Sequence, residues 1–254
     1  MLHNKVALVT GGSRGIGRAI ALALSSQGAS VAVGSRTGCE NVAKELSQQG
    51  APILSGLMNV RYELSVDEFT NQIENNLGTI DILVNNAGIY ENHSIDGHCF
   101  DLWQQVLETN LTGAFLTCRR VLPGMKKKRW GRIINISSIS GKVAEISAGA
   151  YSASKFGLIG LTQSLALEVA DSGITVNAVC PGWVKTELAH TQFTQEDAQN
   201  QSRPMQAEEI ARLSIPQMRF IEAADVAQLV VYLCLEQAKS ITGQAINICG
   251  GSCM

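Results

Sequence analysis

The sequence predicts a doubly wound α/β fold, in which a seven-stranded parallel sheet carries helices on both faces. Two observations favour this fold class. Short runs of β-branched and aliphatic residues alternate along the chain with segments of helical periodicity. The first such run also stops at a glycine-rich turn that opens a helix. Parallel strands need crossover helices, so this alternation places helices on both faces of one sheet, and residues 1–254 are expected to form a single domain.

Each predicted strand is a short apolar run bounded by turn residues. In chain order the seven strands are expected at Val6 to Thr10, Val31 to Val33, Ile53 to Val60, Ile82 to Val84, Arg132 to Ile136, Thr175 to Val179 and Ala245 to Cys249.

The segments between these strands show helical periodicity. Helices are predicted at Ile16 to Leu24, Cys39 to Gln49, Val66 to Leu77, Phe100 to Lys127, Ala150 to Ala170 and Ala224 to Leu235. One long segment, Thr186 to Phe220, has no strand pattern. Long connections without strand pattern in α/β proteins are usually lids or disordered linkers, and we interpret this segment as a lid.

The turn TGGSRGIG, Thr10 to Gly17, is a candidate phosphate-binding loop. Glycines let the backbone approach a pyrophosphate, and the helix that follows directs its unpaired N–H groups at the anion. An ordinary tight turn is the alternative, but the position after the first strand favours a dinucleotide. The predicted contacts are Gly11, Ser13, Arg14, Gly15, Ile16 and Gly17.

The end of the second strand predicts which dinucleotide is preferred. A carboxylate there would accept a hydrogen bond from a ribose 2′-hydroxyl, whereas a cation would pair with a 2′-phosphate. The chain has Ser35-Arg36-Thr37 at this point, with no Asp or Glu. Arg36 and Arg14 offer planar donors suited to phosphate, which favours NADP(H) over NAD(H). The alternative is a solvated Arg36 and a weak preference.

Composition excludes several classes of partner. A net charge of −2 provides no broad positive field for nucleic acid or an anionic membrane. The seven cysteines are scattered without a CxxC pair, so we interpret them as reduced core thiols. The four histidines include no HxxxH pair, and no metal site is predicted. With neither a secretory leader nor a membrane-spanning apolar run in view, a cytoplasmic location is expected.

Tyr151 and Lys155 lie one helical turn apart at the start of the segment from Ala150 to Ala170, and therefore share one helix face. An ammonium group nearby favours the phenolate, so we expect the pKa of Tyr151 to fall from about 10 towards neutrality. Tyr151 is thus the candidate for proton transfer. A Tyr and a Lys at this spacing also occur as ordinary surface residues, and the other motifs decide between the two interpretations.

Three further polar motifs point to the same crevice. Asn85 to Gly88 directly follow the fourth strand, and Ser137-Ser138 end the fifth, so both belong at the carboxyl edge of the sheet. Asn110 lies in the apolar helical segment LETNLTGAFL, where a buried amide needs hydrogen-bond partners. A satisfied core asparagine is the alternative for Asn110.

Together these motifs resemble those of the short-chain dehydrogenase/reductase family over essentially the whole chain. The resemblance implies a Rossmann fold, a nicotinamide cofactor and a homotetramer. Within the family the chain most resembles β-ketoacyl carrier-protein reductases and, through GQAINICGG near its end, aromatic-polyketide ketoreductases. The resemblance is carried, in order, by TGGSRGIG, Asn85 to Gly88, Asn110, Ser138, Tyr151, Lys155 and Pro181-Gly182.

The resemblance also implies roles for single residues. Tyr151 donates a proton to the developing alkoxide and Ser138 hydrogen-bonds the substrate oxygen. Lys155 lowers the Tyr151 pKa and holds the nicotinamide ribose, while Asn110 holds a water in a proton relay. Asn59 stands where many relatives have an Asp, so its contact with the adenine is expected to be weaker. Beyond the glycine turn and Arg36, cofactor contacts are implied for Tyr151, Lys155, Asn59, Val60, Asn86, Ala87, Gly88, Pro181, Gly182, Val184 and Thr186.

The leading hypothesis is an NADPH-dependent ketoreductase that acts on a β-ketoacyl thioester or a polyketide-like ketone. An alternative enzyme is a secondary-alcohol or hydroxysteroid-type dehydrogenase that acts on a free small molecule. An alternative of another class is an NADPH-binding regulatory module without turnover. The set of Ser138, Tyr151 and Lys155 argues against that module, because a sensor has no need of proton-transfer groups. The sequence leaves open the physiological substrate, its stereochemistry, the carrier of the acyl group, the direction and the pathway.

Overall fold

A parallel seven-stranded sheet forms the centre of the computed structural model, which describes residues 1–199 and 205–254. The strands are β1 (Val6–Thr10), β2 (Ser30–Ser35), β3 (Ile53–Leu57), β4 (Ile82–Asn85), β5 (Gly131–Ile136), β6 (Ile174–Pro181) and β7 (Ala245–Ile248). Their spatial order is β3-β2-β1-β4-β5-β6-β7. The order reverses between β1 and β4, where a doubly wound sheet leaves a crevice at its carboxyl edge.

Helices connect the strands. Within the described residues they are α1 (Gly15–Ser26), α2 (Glu40–Ser47), α3 (Glu63–Asn76), α4 (Phe100–Leu107), α5 (Gly113–Lys128), α6 (Gly149–Glu168), α7 (Glu187–Gln199), α8 (Ala207–Leu213) and α9 (Ala223–Cys234). The doubly wound fold predicted from the sequence is confirmed, and each predicted strand is present with ends shifted by a few residues.

The two faces of the sheet bury separate cores because neighbouring strand residues point to opposite sides. Val9 of β1 packs in the core that also contains Leu24 of α1 and Val230 of α9. The next residue towards the N-terminus, Leu8, packs in the other core, which contains Phe69 of α3. All five side chains are fully buried or nearly so. This packing fixes the sheet that carries the crevice.

The helix predicted from Phe100 to Lys127 is not regular. A π-helical turn, Glu108–Thr112, joins α4 to α5 and contains Asn110. Such turns insert an extra residue into a helix and are frequent at functional sites. The predicted helical region is therefore present, and its irregular turn contains the residue that the sequence had singled out.

The segment predicted as a lid, Thr186 to Phe220, contains α7 and α8. These helices bury a small apolar cluster around Phe193, whose ring lies 5.0 Å from that of Trp183 and 5.8 Å from that of Phe220. The sequence pattern predicted no element here because few of the residues are apolar. Residues 200–204 of the segment, including Arg203, lie outside the described residues.

Apolar residues of α6 are partly used within the chain. From the apolar positions of α6, such as Leu158, Leu161 and Leu165, the sequence predicts contacts with partner copies, but Leu158 and Leu165 are buried in this chain, and for these two the prediction was wrong. The large apolar side chains that α5 and α6 expose are Phe115, Phe156 and Leu167. The surface available for partner copies therefore differs from the predicted one.

The cysteines are all free: five are buried, Cys253 is half-buried and Cys99 is exposed. The prediction of core thiols is confirmed for the five and wrong for Cys99. In the described parts of the chain, no three His, Cys, Asp or Glu side chains are grouped so that they could hold a metal ion. None of the described helices is both long and apolar enough to span a membrane.

Candidate active site

A cavity of about 300 Å³ opens at the carboxyl edge of the sheet, where the strand order reverses. Its walls come from the glycine turn after β1, the ends of β2, β4, β5 and β6, and the start of α6 and α7. The volume is at the lower end of the range of small-molecule sites, about 300–1,000 Å³. Most of the motifs that the sequence singled out meet in this cavity.

The glycine turn brings backbone to one end of the cavity. Gly11 has φ +62° and its N–H donates to the carbonyl of Gly34 over 2.8 Å. A Cβ atom at Gly11 would lie 2.9 Å from the Cα of Ala87, closer than real side chains approach. The first turn of α1 contains no acidic residue, and Arg14 at its N-cap makes no side-chain cap. The first N–H groups of α1, at its N-terminus, are therefore available to bind an anion.

Hydrogen bonds of Asn86 link the turn after β4 to the glycine turn. Its Nδ2 donates to the carbonyl oxygens of Thr10 and Gly11, each over 3.0 Å. Its backbone N–H and that of Ala87 both donate to Thr10 Oγ1 over 3.1 Å. Asn85 points instead into the core, where its Nδ2 donates to Asn135 Oδ1 over 2.9 Å. The first asparagine of the motif is therefore structural.

Two arginines border the same end of the cavity. Arg36 follows β2 on the surface, and no ion pair joins it to any residue that the structure describes. Arg14 Nη1 lies 3.0 Å from Glu187 Oε2, and both side chains are about 70% exposed. Exposed pairs of this kind stabilise a protein by only about 0–1 kcal/mol, so Arg14 can exchange its partner readily.

Ser138, Tyr151 and Lys155 meet at the other end. The hydroxyls of Tyr151 and Ser138 are hydrogen-bonded to each other. Lys155, only 4% exposed, donates from Nζ to the carbonyl oxygen of Ile136 over 2.8 Å, and Nζ lies 5.5 Å from the centre of the Tyr151 ring. The end of β5 and the first turn of α6 thus place a hydroxyl, a phenol and an amine in one cavity.

Asn110 lies behind this group and is fully bonded. Its Nδ2 donates to the carbonyl of Ile89 over 2.9 Å and to Ser154 Oγ over 3.0 Å, while its Oδ1 accepts from the N–H of Ile89 over 2.9 Å. A Cβ atom at Gly88 would lie 3.4 Å from Asn110 Oδ1 and 3.7 Å from Lys155 Nζ. The amide therefore holds the main chain next to Lys155.

The family model described as short chain dehydrogenase matches residues 5–197, more than half of the chain and every motif from the glycine turn to Thr186. The chain belongs to the short-chain dehydrogenase family.

Relatives within this family cover nearly the whole chain. A D-beta-hydroxybutyrate dehydrogenase of Cupriavidus necator is 38% identical over 255 residues, which are 99% of this chain and 98% of the relative. A 3-oxoacyl-[acyl-carrier-protein] reductase of Aquifex aeolicus is 40% identical over 253 residues, 98% of each protein. A crystal structure of actinorhodin polyketide ketoreductase with NADPH has a TM-score of 0.93 and 37% identity, and covers 99% of each chain.

The cavity of this dehydrogenase contains most residues that the sequence predicted. They are Gly11, Ser13, Arg14, Gly15, Ile16, Gly17, Arg36, Val60, Asn86, Ala87, Gly88, Ser138, Tyr151, Lys155, Pro181, Gly182, Val184 and Thr186. Asn110 and Asn59 are not on the cavity wall. Asn59 Oδ1 accepts from the N–H of Arg61 over 3.2 Å, and the Asn59 N–H donates to Ser65 Oγ over 3.0 Å. Asn59 thus shapes the turn before α3, and this arrangement offers no support for the predicted adenine contact.

The electrostatics of the tyrosine differ from the expectation. Burial raises the pKa of Tyr151 above its ordinary value, and the charge of Glu145 acts in the same direction. Burial also lowers the pKa of Lys155 to about 8. The expected fall of the Tyr151 pKa does not appear: desolvation of the phenol is the largest effect, and the Lys155 ammonium donates to the carbonyl of Ile136. The phenol is therefore neutral at pH 7, the form that donates a proton.

Several cavity residues were missed by sequence reasoning. Tyr90 packs edge-on against Tyr151 with ring centres 5.0 Å apart, and its hydroxyl is hydrogen-bonded to the side chain of Gln192. Ser140 and Glu145 lie on the loop between Ser138 and Tyr151 and also line the cavity. In the sequence, only Ser140 and Glu145 could have been suspected, because they lie between the motif residues Ser138 and Tyr151. Tyr90 and Gln192 reach the cavity through tertiary packing.

Proposed function

We propose that this short-chain dehydrogenase is an NADPH-dependent ketoreductase, which reduces a β-ketoacyl thioester or a polyketide-like ketone. The observation that carries the proposal is the meeting of Ser138, Tyr151 and Lys155 in one cavity with an anion-binding glycine turn. The ketoacyl reductase and the ketoreductase with NADPH among its relatives support the same activity.

The residues present fit this cofactor. The open N-terminus of α1 suits a pyrophosphate, and Arg36 with Arg14 suits a 2′-phosphate. Lys155 would hold the nicotinamide ribose, and Val184 with Thr186 would meet the carboxamide. NADPH, when bound, supplies the hydride that the carbonyl carbon accepts.

Proton transfer is the task of the chain's own residues. Tyr151, kept neutral by burial, donates its proton to the alkoxide oxygen, and Ser138 hydrogen-bonds the same oxygen. Asn110 holds the main chain of Ile89 in place beside Gly88. The water relay implied for Asn110 stays a prediction.

The D-beta-hydroxybutyrate dehydrogenase among the relatives favours a second candidate, oxidation of a secondary alcohol. Tyr151 serves either direction, because the group that protonates an alkoxide in reduction accepts the alcohol proton in oxidation. We favour reduction because a ketoacyl reductase and a ketoreductase with NADPH are among the relatives. Assays of NADPH and NADH oxidation with neutral ketones and thioesters, and of the reverse reaction with the matching alcohols, test the proposal. Absence of any turnover would leave the regulatory module as the better hypothesis.

Cofactor preference is expected to depend on Arg36. Replacing it by Asp should lower kcat/KM for NADPH about 10- to 100-fold, because a charge-assisted contact with the 2′-phosphate becomes a repulsion. The same change should raise kcat/KM for NADH, because a carboxylate accepts a hydrogen bond from the ribose 2′-hydroxyl. Lys239→Asp, at an exposed site 68% accessible, makes the same change of charge away from the cavity and should keep the preference. A wild-type enzyme that uses NADH equally well contradicts the assignment.

Activity is expected to depend on pH through Lys155. Its pKa of about 8 means that the ammonium prevails at lower pH and is lost as the pH rises through 8. Since the charged amine holds the ribose best, kcat/KM for NADPH should fall above about pH 8. Tyr151 does not titrate in this window because its pKa is raised. Steady-state kinetics from pH 6 to 10 measure the profile, and a flat profile up to pH 10 would exclude this role of the charge.

The chain is expected to form a homotetramer through α4, α5 and α6. Exposed Phe115 and Phe156 provide apolar surface on these helices. Light scattering at micromolar concentration should give four chains of 27.2 kDa each. Phe156→Glu should shift the assembly to smaller species, and a wild-type monomer would contradict the proposal.

Two predictions from the sequence remain as proposals. The single domain with a cover formed by residues 186–220 is supported by Leu188, Ala189 and Gln192, which line the cavity from α7. A cytoplasmic location also stays a prediction.

A further inference from the structure

A carboxylate stands on the tyrosine side of the cavity. Glu145, on the loop between β5 and α6, lines the cavity and is half-buried. Its Oε1 accepts a short hydrogen bond from Ser140 Oγ, and its backbone N–H donates to Ser152 Oγ over 3.5 Å. These contacts hold the carboxylate in place. Glu145 takes no part in the proposed proton and hydride transfer.

The carboxylate is close to the reacting groups. Ser138 Oγ donates to Ser140 Oγ over 3.0 Å, so Glu145 is only two hydrogen bonds away from the hydroxyl of Ser138. Two consecutive hydrogen bonds span at most about 6 Å. The charge of Glu145 also raises the pKa values of Tyr151 and Tyr90. A substrate whose carbonyl oxygen contacts Ser138 and Tyr151 would lie within this field.

The described residues offer no cation to neutralise the charge. Arg14 and Arg36 border the other end of the cavity, and Lys155 donates to the carbonyl of Ile136. No ion pair joins Glu145 to a described residue. Burial raises its pKa, and the hydrogen bond from Ser140 acts in the opposite direction. Glu145 therefore brings to this part of the cavity a carboxylate that pairs with no cation of the described residues.

We propose that Glu145 selects neutral carbonyl substrates, in which a neighbouring carboxyl group is esterified, thioesterified or amidated, over free β-keto acids. The inference rests on the proposed ketoreductase function and names its substrate class. A carboxylate on the substrate would be placed a few ångströms from Glu145 in a partly desolvated site, where like charges repel strongly. Selectivity then comes from rejecting the wrong substrate as much as from binding the right one.

The matched pair ethyl acetoacetate and acetoacetate tests this proposal. The wild-type enzyme should show a kcat/KM for the ester at least about tenfold above that for the acid. Glu145→Gln keeps the shape and the acceptor for Ser140 but removes the charge. It should raise kcat/KM for acetoacetate at least about tenfold relative to kcat/KM for the ester.

A control variant separates charge at the site from a change of net charge. Glu168→Gln, on the exposed end of α6, makes the same change of net charge and should keep the wild-type ratio of the two substrates. A ratio that changes as much in Glu168→Gln as in Glu145→Gln would overturn the proposal.

A binding measurement makes the test independent of turnover. Saturation-transfer NMR with the unreactive pair butyrate and butyramide should show weaker binding of the anion to wild type, and this difference should shrink in Glu145→Gln. If no carbonyl compound is reduced, the proposed function fails, and the binding arm still decides on Glu145. If the ester is reduced but Glu145→Gln changes neither the substrate ratio nor the binding difference, the inference fails alone.

Discussion

Tyr151→Phe is expected to lower kcat for ketone reduction by about 10²–10⁴, the usual contribution of a general acid. The substitution keeps the ring that packs against Tyr90, so the fold and the KM for NADPH should stay near wild type. It removes the hydroxyl that interacts with Ser138 and that would donate to the alkoxide in the proposed reaction. Steady-state kinetics with a saturating ketone, together with a thermal melt, measure these effects.

The control is Tyr90→Phe. It removes the same atom from a ring whose centre is 5.0 Å from that of Tyr151, and its hydroxyl is bonded to Gln192. We expect kcat to fall by less than about tenfold, since no proton transfer is assigned to Tyr90. If Tyr151→Phe kept more than roughly a tenth of wild-type kcat, the proton would have to come from Ser138 or water.

Lys155→Ala is expected to lower kcat and to raise the KM for NADPH, each by at least about tenfold. The proposed function gives the amine two tasks: its charge would favour the Tyr151 oxygen as that oxygen loses its proton, and Nζ would hold the ribose. Its position next to Gly88 and the Tyr151 ring allows both. Kinetics with varied NADPH separate the two effects.

Lys142→Ala is the matched control for Lys155. Lys142 Nζ also donates to a backbone carbonyl, that of Ala245, over 2.6 Å, but the residue does not line the cavity. We expect its kinetic constants to stay within about threefold of wild type. A Lys155→Ala enzyme that lost kcat alone would show that the ribose is held by other groups.

The sheet and the glycine turn were predictable from the sequence because their determinants are local. Strand periodicity and β-branched runs identified all seven strands, and the glycines after β1 identified the phosphate end of the cavity. The i, i+4 spacing of Tyr151 and Lys155 placed both on the cavity wall. These features depend on neighbours in the sequence more than on packing.

Features that depend on tertiary packing were predicted poorly. The pKa of Tyr151 rises because the folded chain desolvates the phenol, and no spacing rule reports burial. Asn59 was placed at the cavity by analogy, but its oxygen accepts from Arg61 after β3 ends early at Leu57. For Glu145 the sequence offered only its place between Ser138 and Tyr151, and the hydrogen bonds from Ser138 to Ser140 and from Ser140 to Glu145 depend on the folded loop.

The central claim is that the chain transfers hydride from NADPH to a carbonyl carbon. The most direct test uses NADPH with deuterium at both C4 positions, ethyl acetoacetate as substrate, and mass spectrometry of the alcohol formed. We expect one deuterium on the carbinol carbon and one oxidised NADPH for each alcohol molecule. An alcohol without deuterium, or no oxidation of NADPH with any carbonyl substrate, would contradict the account.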